Sequence, residues 1–357
     1  MSILVAHSRP MINARDIAGV EGVLRSGDLA QGKKVAEFER QVGHYVGVKG
    51  AVATNSGTSA LHLALLALNI GRGDEVIVPS YVCSALLNSI LYTGATPRIV
   101  DVHPDDFNIA PADVKKKLNK KTKVILVPHL FGYPADLKKL LRLGVPIIED
   151  CAQSIGANYE GRKAGSWGVL SICSFYATKV LTTGEGGMVL SDRQKLLDKI
   201  RDLRQYDNAD VYKVRHNYKM TDVQAALGLS QFAKLPQFID RRKEIARVYD
   251  RVFTNLRVTV PYKAPNRDHI YYRYVIKLKA GQKAFLQRLN NKGIGAAVPV
   301  FKPLHRYFNQ GKCPVTDGLM RQCVSIPIYP GLTNAQVRYI VENLAPANNI
   351  KTSCLCH

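Results

Sequence analysis

The chain has 357 residues, 46% of them hydrophobic and 22% charged, a balance that fits an ordinary folded protein and excludes a disordered or fibrous one. Its net charge of +22 concentrates anions, but there is no arginine-rich tail or nucleic-acid motif, and the Lys115 to Lys123 cluster reads as a solvated helix face; a small anionic substrate fits better than nucleic acid. No run approaches the roughly 18 apolar residues of a spanning helix, and the opening MSILVAHSRPM lacks a basic leader, so a cytoplasmic chain with no membrane insertion is expected.

This length exceeds what one core accommodates, which predicts a large domain plus a smaller one. Apolar runs between turn residues predict strands at Gly50 to Thr54, Glu75 to Val78, Thr96 to Val100, Val124 to Pro128, Val145 to Glu149, Val169 to Ser174 and Gly187 to Ser191. They alternate with helical periodicity, strongest in SALHLALLALN from Ser59 to Asn69, so the class is α/β with a mainly parallel seven-stranded sheet. Beyond about Lys234 come a charged helix (Phe238 to Asn255), a strand in YYRYVIKL (Tyr271 to Leu278), a helix near Lys283 to Asn291, a strand near Gly295 to Val300 and a last helix from Thr333. These divide the chain into a large domain, 1–236, and a small α+β domain, 237–357, with the N-terminal segment free to pack on the latter. Seven cysteines are too sparse for a disulfide framework; Cys151 and Cys173 read as packed thiols, and Cys354, Cys356 and His357 make a poor metal site, so no metal is expected.

Three places carry chemistry. Asn55, Ser56, Gly57 and Thr58 open the helix SALHLALLAL; a glycine among hydroxyls at a helix start offers N–H groups to a phosphate, although Ser or Thr there also serves as a plain N-cap. Asp150 ends the apolar strand VPIIED, where an α/β sheet places ligands; a carboxylate there can hold the ring nitrogen of pyridoxal phosphate (PLP) protonated, making the ring an electron sink. Strand alternation sends the competing Glu149 to the other side, and Gln153 follows at a spacing suited to a shared site. Ser174, then Lys179 five positions on, leave a buried strand before Gly184, Gly186 and Gly187, a partly desolvated place that favours the neutral amine Schiff-base chemistry requires.

With these residues in place the chain resembles the DegT/DnrJ/EryC1/StrS sugar aminotransferases almost end to end, through NSGTSALHLAL, VPSYVCSALLNSILYTGATPRIVDV, IIEDCAQSIGANYEGRKAGSWG, SFYATKVLTTGEGGMVLSD, HNYKMTDVQAALGLSQ, FKPLH and SIPIYPGLT. The resemblance implies a fold type I aminotransferase, usually a homodimer with active sites shared across the interface, and PLP interconverting with pyridoxamine phosphate. It makes Lys179 the Schiff-base lysine, Asp150 the pyridinium partner and Gln153 a contact to the phenolic side. Ser56, Gly57, Thr58 and Ser174 become phosphate ligands, and Asn217 reaches the phosphate of the neighbouring subunit.

Two departures stand out. The aromatic ring the family places over the cofactor aligns with Cys83, so either Tyr81 swings in or something smaller covers the ring. Val300, Phe301 and Lys302 replace a His-Tyr pair before Pro303, Leu304 and His305. Tyr81, Lys219, Lys302, His305 and Arg306 are the candidate substrate contacts. The function implied is amination of a keto group on a nucleotide-linked sugar with glutamate as donor, in amino-sugar biosynthesis. A keto-cyclitol or other acceptor is the alternative; a non-catalytic regulator lacks a DNA-reading module and would not need Lys179.

Overall fold

The computed structural model describes residues 4–207, 210–254, 258–308 and 311–344; the tail with Cys354, Cys356 and His357 lies outside the described residues. Its strands are β1 (Gly50–Thr54), β2 (Glu75–Pro79), β3 (Thr96–Val100), β4 (Thr122–Pro128), β5 (Ile147–Asp150), β6 (Asn158–Tyr159), β7 (Arg162–Lys163), β8 (Leu170–Ser174), β9 (Gly187–Ser191), β10 (Tyr274–Lys277) and β11 (Cys323–Ile326). Seven form one sheet in the order β1-β9-β8-β5-β4-β2-β3. Pairings from β8 to β3 are parallel, and β9 runs antiparallel to both β8 and β1. The carboxyl ends of β1, β2, β3, β4, β5 and β8 therefore share one edge, at which β9 begins.

Each central strand is buried on both faces, as a sheet covered on both sides requires. Val76 and Val78 of β2, with Leu126 of β4 and Ile148 of β5, join one core, whereas Ile77, Ile125, Val127 and Ile147 join the other. The helix Gly57–Ala67 buries eight of its eleven residues, so its nearly continuous apolar sequence marks a helix sandwiched between the sheet and outer helices.

A third core gathers around the antiparallel pair β10 and β11, with the helices Gln282–Asn291 and Asn334–Leu344. The 20-residue helix Leu235–Thr254 feeds two cores: Leu235 and Ile239 belong to one on the large sheet, Ile245, Ala246, Tyr249 and Phe253 to that of the small sheet. A division at residue 237 thus falls inside a continuous helix rather than at a linker. The N-terminal segment packs on the small sheet's side, where the N–H groups of Leu4 and Val5 donate to the Gly293 carbonyl and Val5 joins the third core.

Two expectations need correction. Residues 295–300 form no strand: Ile294 bridges to Val5 and Ala297 to Ser325 at single points, and Pro299 withholds a ladder donor. In YYRYVIKL the strand begins only at Tyr274, because Tyr271 has a φ of 53° and turns the chain before it.

Candidate active site

The common edge of the sheet gathers the motif residues. Ser56 caps the helix Gly57–Ala67 by accepting the Ser59 N–H at 3.1 Å, so its hydroxyl is engaged in the cap. The N–H groups of Gly57 and Thr58 have no acceptor among the described residues and, with the positive end of the helix behind them, form an anion seat. Ser174, at the end of β8, closes that seat. A Cβ on Gly57 would lie 2.7 Å from Ser174 Cβ and 3.0 Å from its Oγ, and one on Gly187 would lie 2.3 Å from the Ser56 carbonyl oxygen. Only glycine permits these approaches, which bring two loops and a helix start into one cradle.

Asp150 is buried at the end of β5. One carboxylate oxygen accepts the Ala152 N–H at 2.9 Å; the other has no hydrogen-bond partner among the described residues. Burial raises its pKa above the usual carboxylate range, and the Ala152 N–H and the charge of Lys179 offset part of the shift. A buried carboxylate with one oxygen unpaired is suited to a cationic N–H donor, as the pyridinium of PLP would supply.

Glu149, its sequence neighbour, points to the opposite face. Its oxygens accept from His129 Nε2 at 3.0 Å and from the N–H groups of Gly165, Trp167 and Gly168 at 2.8, 2.7 and 2.6 Å. Burial would raise its pKa, but these donors prevail and hold it below the ordinary value. His129 Nδ1 accepts the Ala135 N–H at 3.0 Å, which leaves the proton on Nε2 for Glu149. The ligand atoms of His129, Glu149 and Cys151 lie within 4.8 Å of one another, yet Glu149 is already saturated, so the cluster is a hydrogen-bonded support beneath Asp150 rather than a metal centre.

Lys179 is half-buried with Nζ 5.3 Å from the centroid of the Tyr272 ring. Gln153 directs Oε1 to the Phe131 N–H at 2.7 Å, which anchors it beside the loop after β4. Asn217 is exposed; its carbonyl accepts from Asn55 Nδ2 at 3.2 Å, and Asn55 N–H donates to the Tyr218 carbonyl at 2.8 Å, tying this segment to the loop before the helix Gly57–Ala67 of the same chain.

The expected substrate contacts separate. Tyr81 is fully buried between Phe107 and Phe131 and offers no surface to a solute, so it does not swing over the cofactor; Cys83, two residues on, is exposed. Beyond the end of β2 the chain turns, and Tyr81 joins the core of Val76 and Val78 rather than the face that alternation from Ile77 would give it. His305 is nearly buried, with Nδ1 2.5 Å from Ser80 Oγ and Nε2 3.4 Å from Asp317, and therefore fixes the 300–305 loop against the end of β2. Arg306 pairs with Asp317 and Lys219 with Asp207, while Lys302 lies over the Tyr307 ring at 4.3 Å.

Tyr272 and Arg273 were not singled out by sequence reasoning. Tyr272 packs against Lys179 on one hand and the Arg273 guanidinium, 5.3 Å from its centroid, on the other. Burial would raise its phenol pKa, but Lys179, Arg273, the Thr178 hydroxyl and Arg242 outweigh it and lower the value. The density of aromatic and basic residues in YYRY was the available signal, and it was absorbed by the strand assignment.

A sheet of this order, with a lysine after β8, a strand-end aspartate and an unfilled helix start at its carboxyl edge, is that of a fold type I PLP-dependent aminotransferase. The chain belongs to the DegT/DnrJ/EryC1/StrS aminotransferase family, which it matches over residues 10–345. The GDP-perosamine synthase of Caulobacter vibrioides is 35% identical over 333 residues, covering 88% of this chain and 90% of that protein. The sugar aminotransferase CalS13 of Micromonospora echinospora is 30% identical with a TM-score of 0.89, covering 96% of this chain and 99% of that one. Spr1654 of Streptococcus pneumoniae, solved in PLP, PMP and apo forms, is 28% identical with a TM-score of 0.91, covering 95% of this chain and 97% of that one in the PLP form.

Proposed function

We propose that this aminotransferase moves an amino group from glutamate to a keto group on a nucleotide-linked sugar, in amino-sugar biosynthesis. The observation that carries the site assignment is the convergence at one sheet edge of the Gly57 and Ser174 cradle, the half-paired Asp150 carboxylate and Lys179. The sugar acceptor is supported by relatives named as a GDP-perosamine synthase and a sugar aminotransferase.

When bound, PLP supplies an electrophilic carbon that exchanges amines and a ring that withdraws electrons. The protein's part is to hold and to move protons. Gly57 and Thr58 N–H groups, with Ser174, hold the phosphate; the free Asp150 oxygen accepts the ring N–H and keeps that proton in place. Lys179 Nζ is the base that takes a proton from the substrate carbon and the acid that returns it, a half-buried amine with no carboxylate within ion-pair distance among the described residues. In this reading Cys83, exposed beyond the end of β2, would cover the ring where the family carries an aromatic side chain.

The working unit in this reading is a homodimer in which Asn217 of the partner subunit completes the phosphate site. Its support is the apolar surface on the segment leading to Asn217, where Tyr206, Val211, Tyr212 and Val214 are all exposed. No helix among the described residues is long and apolar enough to cross a membrane, which accords with a cytoplasmic enzyme. The test is to load the purified protein with PLP, add glutamate, and screen keto-sugar nucleotides by mass spectrometry for the mass change of amination. Loss of visible cofactor absorbance on glutamate addition, without amination of any sugar, would sustain the donor half and reject the sugar acceptor.

A further inference from the structure

We infer that Arg273 binds the carboxylate of the amino donor, and so distinguishes the amino acid from the sugar in a site both must use. The inference rests on the transaminase reading above. A transaminase admits two unlike substrates in turn. One carries a carboxylate beside or near its amine; the nucleotide-sugar acceptor carries its charge on a distant diphosphate. Something close to the lysine must recognise the first without obstructing the second.

Arg273 meets that requirement by position. Its guanidinium and the Lys179 Nζ each lie 5.3 Å from the centroid of the Tyr272 ring, so the two cations are separated by no more than twice that distance. That upper bound lies within the reach of a five-carbon amino acid with a hydrogen bond at each end. The backbone is held there: Arg273 N–H donates to the Phe131 carbonyl at 3.3 Å, and the buried Arg242 clamps the Tyr271, Tyr272 and Ile328 carbonyls at 3.1, 3.1 and 2.8 Å.

Its charge is unanswered. Arg273 is half-buried, and among the described residues no carboxylate lies within ion-pair distance of it. Asp105 and Asp106, which border an adjoining cleft, are taken by Lys277 and Arg267. The hydrogen-bonding partner it does have is the His7 ring, whose nitrogens lie 3.0 and 3.1 Å from Nη1. That ring is neutral at physiological pH, because burial first and the Arg273 charge second lower its pKa to about 4. A neutral imidazole, itself tied to Ser325 Oγ at 2.9 Å, is a weak partner for a partly desolvated cation. A carboxylate supplies what is missing, since the planar guanidinium matches it with two parallel hydrogen bonds.

The test uses the full-length, cofactor-loaded protein with the variants Arg273→Gln and Arg273→Lys, the latter keeping the charge and the packing on Tyr272. Glutarate, a dicarboxylate that cannot react, is titrated by calorimetry. The donor half-reaction is followed with glutamate as loss of the cofactor's visible absorbance, and the acceptor half-reaction with the keto sugar as its return. Arg273→Gln is expected to weaken glutarate and glutamate binding by about 10- to 100-fold, with a smaller change in the saturating rate, while the acceptor half-reaction shows no comparable loss. Arg273→Lys is expected to recover part of the affinity. Unchanged glutarate and glutamate affinity in Arg273→Gln overturns the inference. So does an equal loss in both half-reactions with a lowered melting temperature, which is what a clamp on His7 alone predicts, and so does a loss confined to the acceptor half-reaction. If the wild type consumes no glutamate yet binds glutarate through Arg273, the choice of glutamate as donor fails and the carboxylate site stands. If Arg273→Gln turns over glutamate as the wild type does, the transaminase reading stands and the inference fails.

Discussion

Replacing Gly57 by Ala isolates the phosphate cradle from the rest of the fold. On helix propensity alone the change is favourable, since alanine is preferred to glycine by about 1 kcal/mol in a helix interior and by less at a first position. The packing opposes it. The new Cβ would lie 2.7 Å from Ser174 Cβ and 3.4 Å from its Cα. Carbon atoms rest at about 3.5–4.0 Å, so the helix start and β8 must part by roughly 1 Å. Overpacking of this kind costs about 1–3 kcal/mol and outweighs the propensity gain. The functional loss is larger, because the atoms forced apart are those proposed to hold the phosphate. Losing one hydrogen bond to a charged group there weakens PLP binding by about 10- to 100-fold. Gly50→Ala, in the same large sheet, is the control: its Cβ would meet only Leu197 Cδ1, at 2.8 Å, the far end of a flexible side chain on the helix Gln194–Arg204. Thermal melting and PLP titration by absorbance give both quantities. If Gly57→Ala retains PLP within twofold of the wild type, or if Gly50→Ala loses it equally, the cradle assignment is refuted.

Lys179→Ala is expected to keep PLP or pyridoxamine phosphate through the cradle and Asp150 yet lose at least about a thousandfold in turnover, beyond the ~10²-fold floor for acid–base assistance; steady-state rates within tenfold of wild type would assign the lysine's role elsewhere. Asp150→Asn is expected to release PLP more readily while leaving the apo protein as stable as wild type or more so, measured by melting with and without cofactor, since the neutral amide removes the burial cost of the ionised carboxylate. The sign with pH follows: the raised folded-state value of Asp150 means that apo stability is lost as pH rises from the ordinary carboxylate range through it, so the melting shift produced by PLP is expected to be larger near pH ~7.5 than near pH ~4. Light scattering is expected to show a dimer or an assembly of dimers; a fully active monomer would remove Asn217 from the site.

Much of this architecture was legible because local signals and long-range constraints agreed. The strand β5 ends in two carboxylates, and period-two alternation alone separates them, Glu149 into a saturated hydrogen-bonded pocket and Asp150 toward Lys179. Gly57 and Gly187 were visible as glycines, but their reason, the mutual approach of β8, β9 and a helix start, exists only once sequence-distant segments are brought together. Tyr81 was misjudged for the converse reason: its place in the motif is beside the ring position, whereas its side chain is claimed by Phe107 and Phe131, residues that no local pattern connects to it. The bend at Tyr271 was hidden by strong β propensity, and it is held by the distant Arg242, which clamps its carbonyl, together with the neighbouring His269 ring, stacked on it at 4.1 Å. That bend carries Tyr272 to the lysine and Arg273 to His7. Residues whose chemistry follows from their own strand or helix end could thus be read in advance, whereas those delivered to the site by a distortion held from elsewhere in the chain could not.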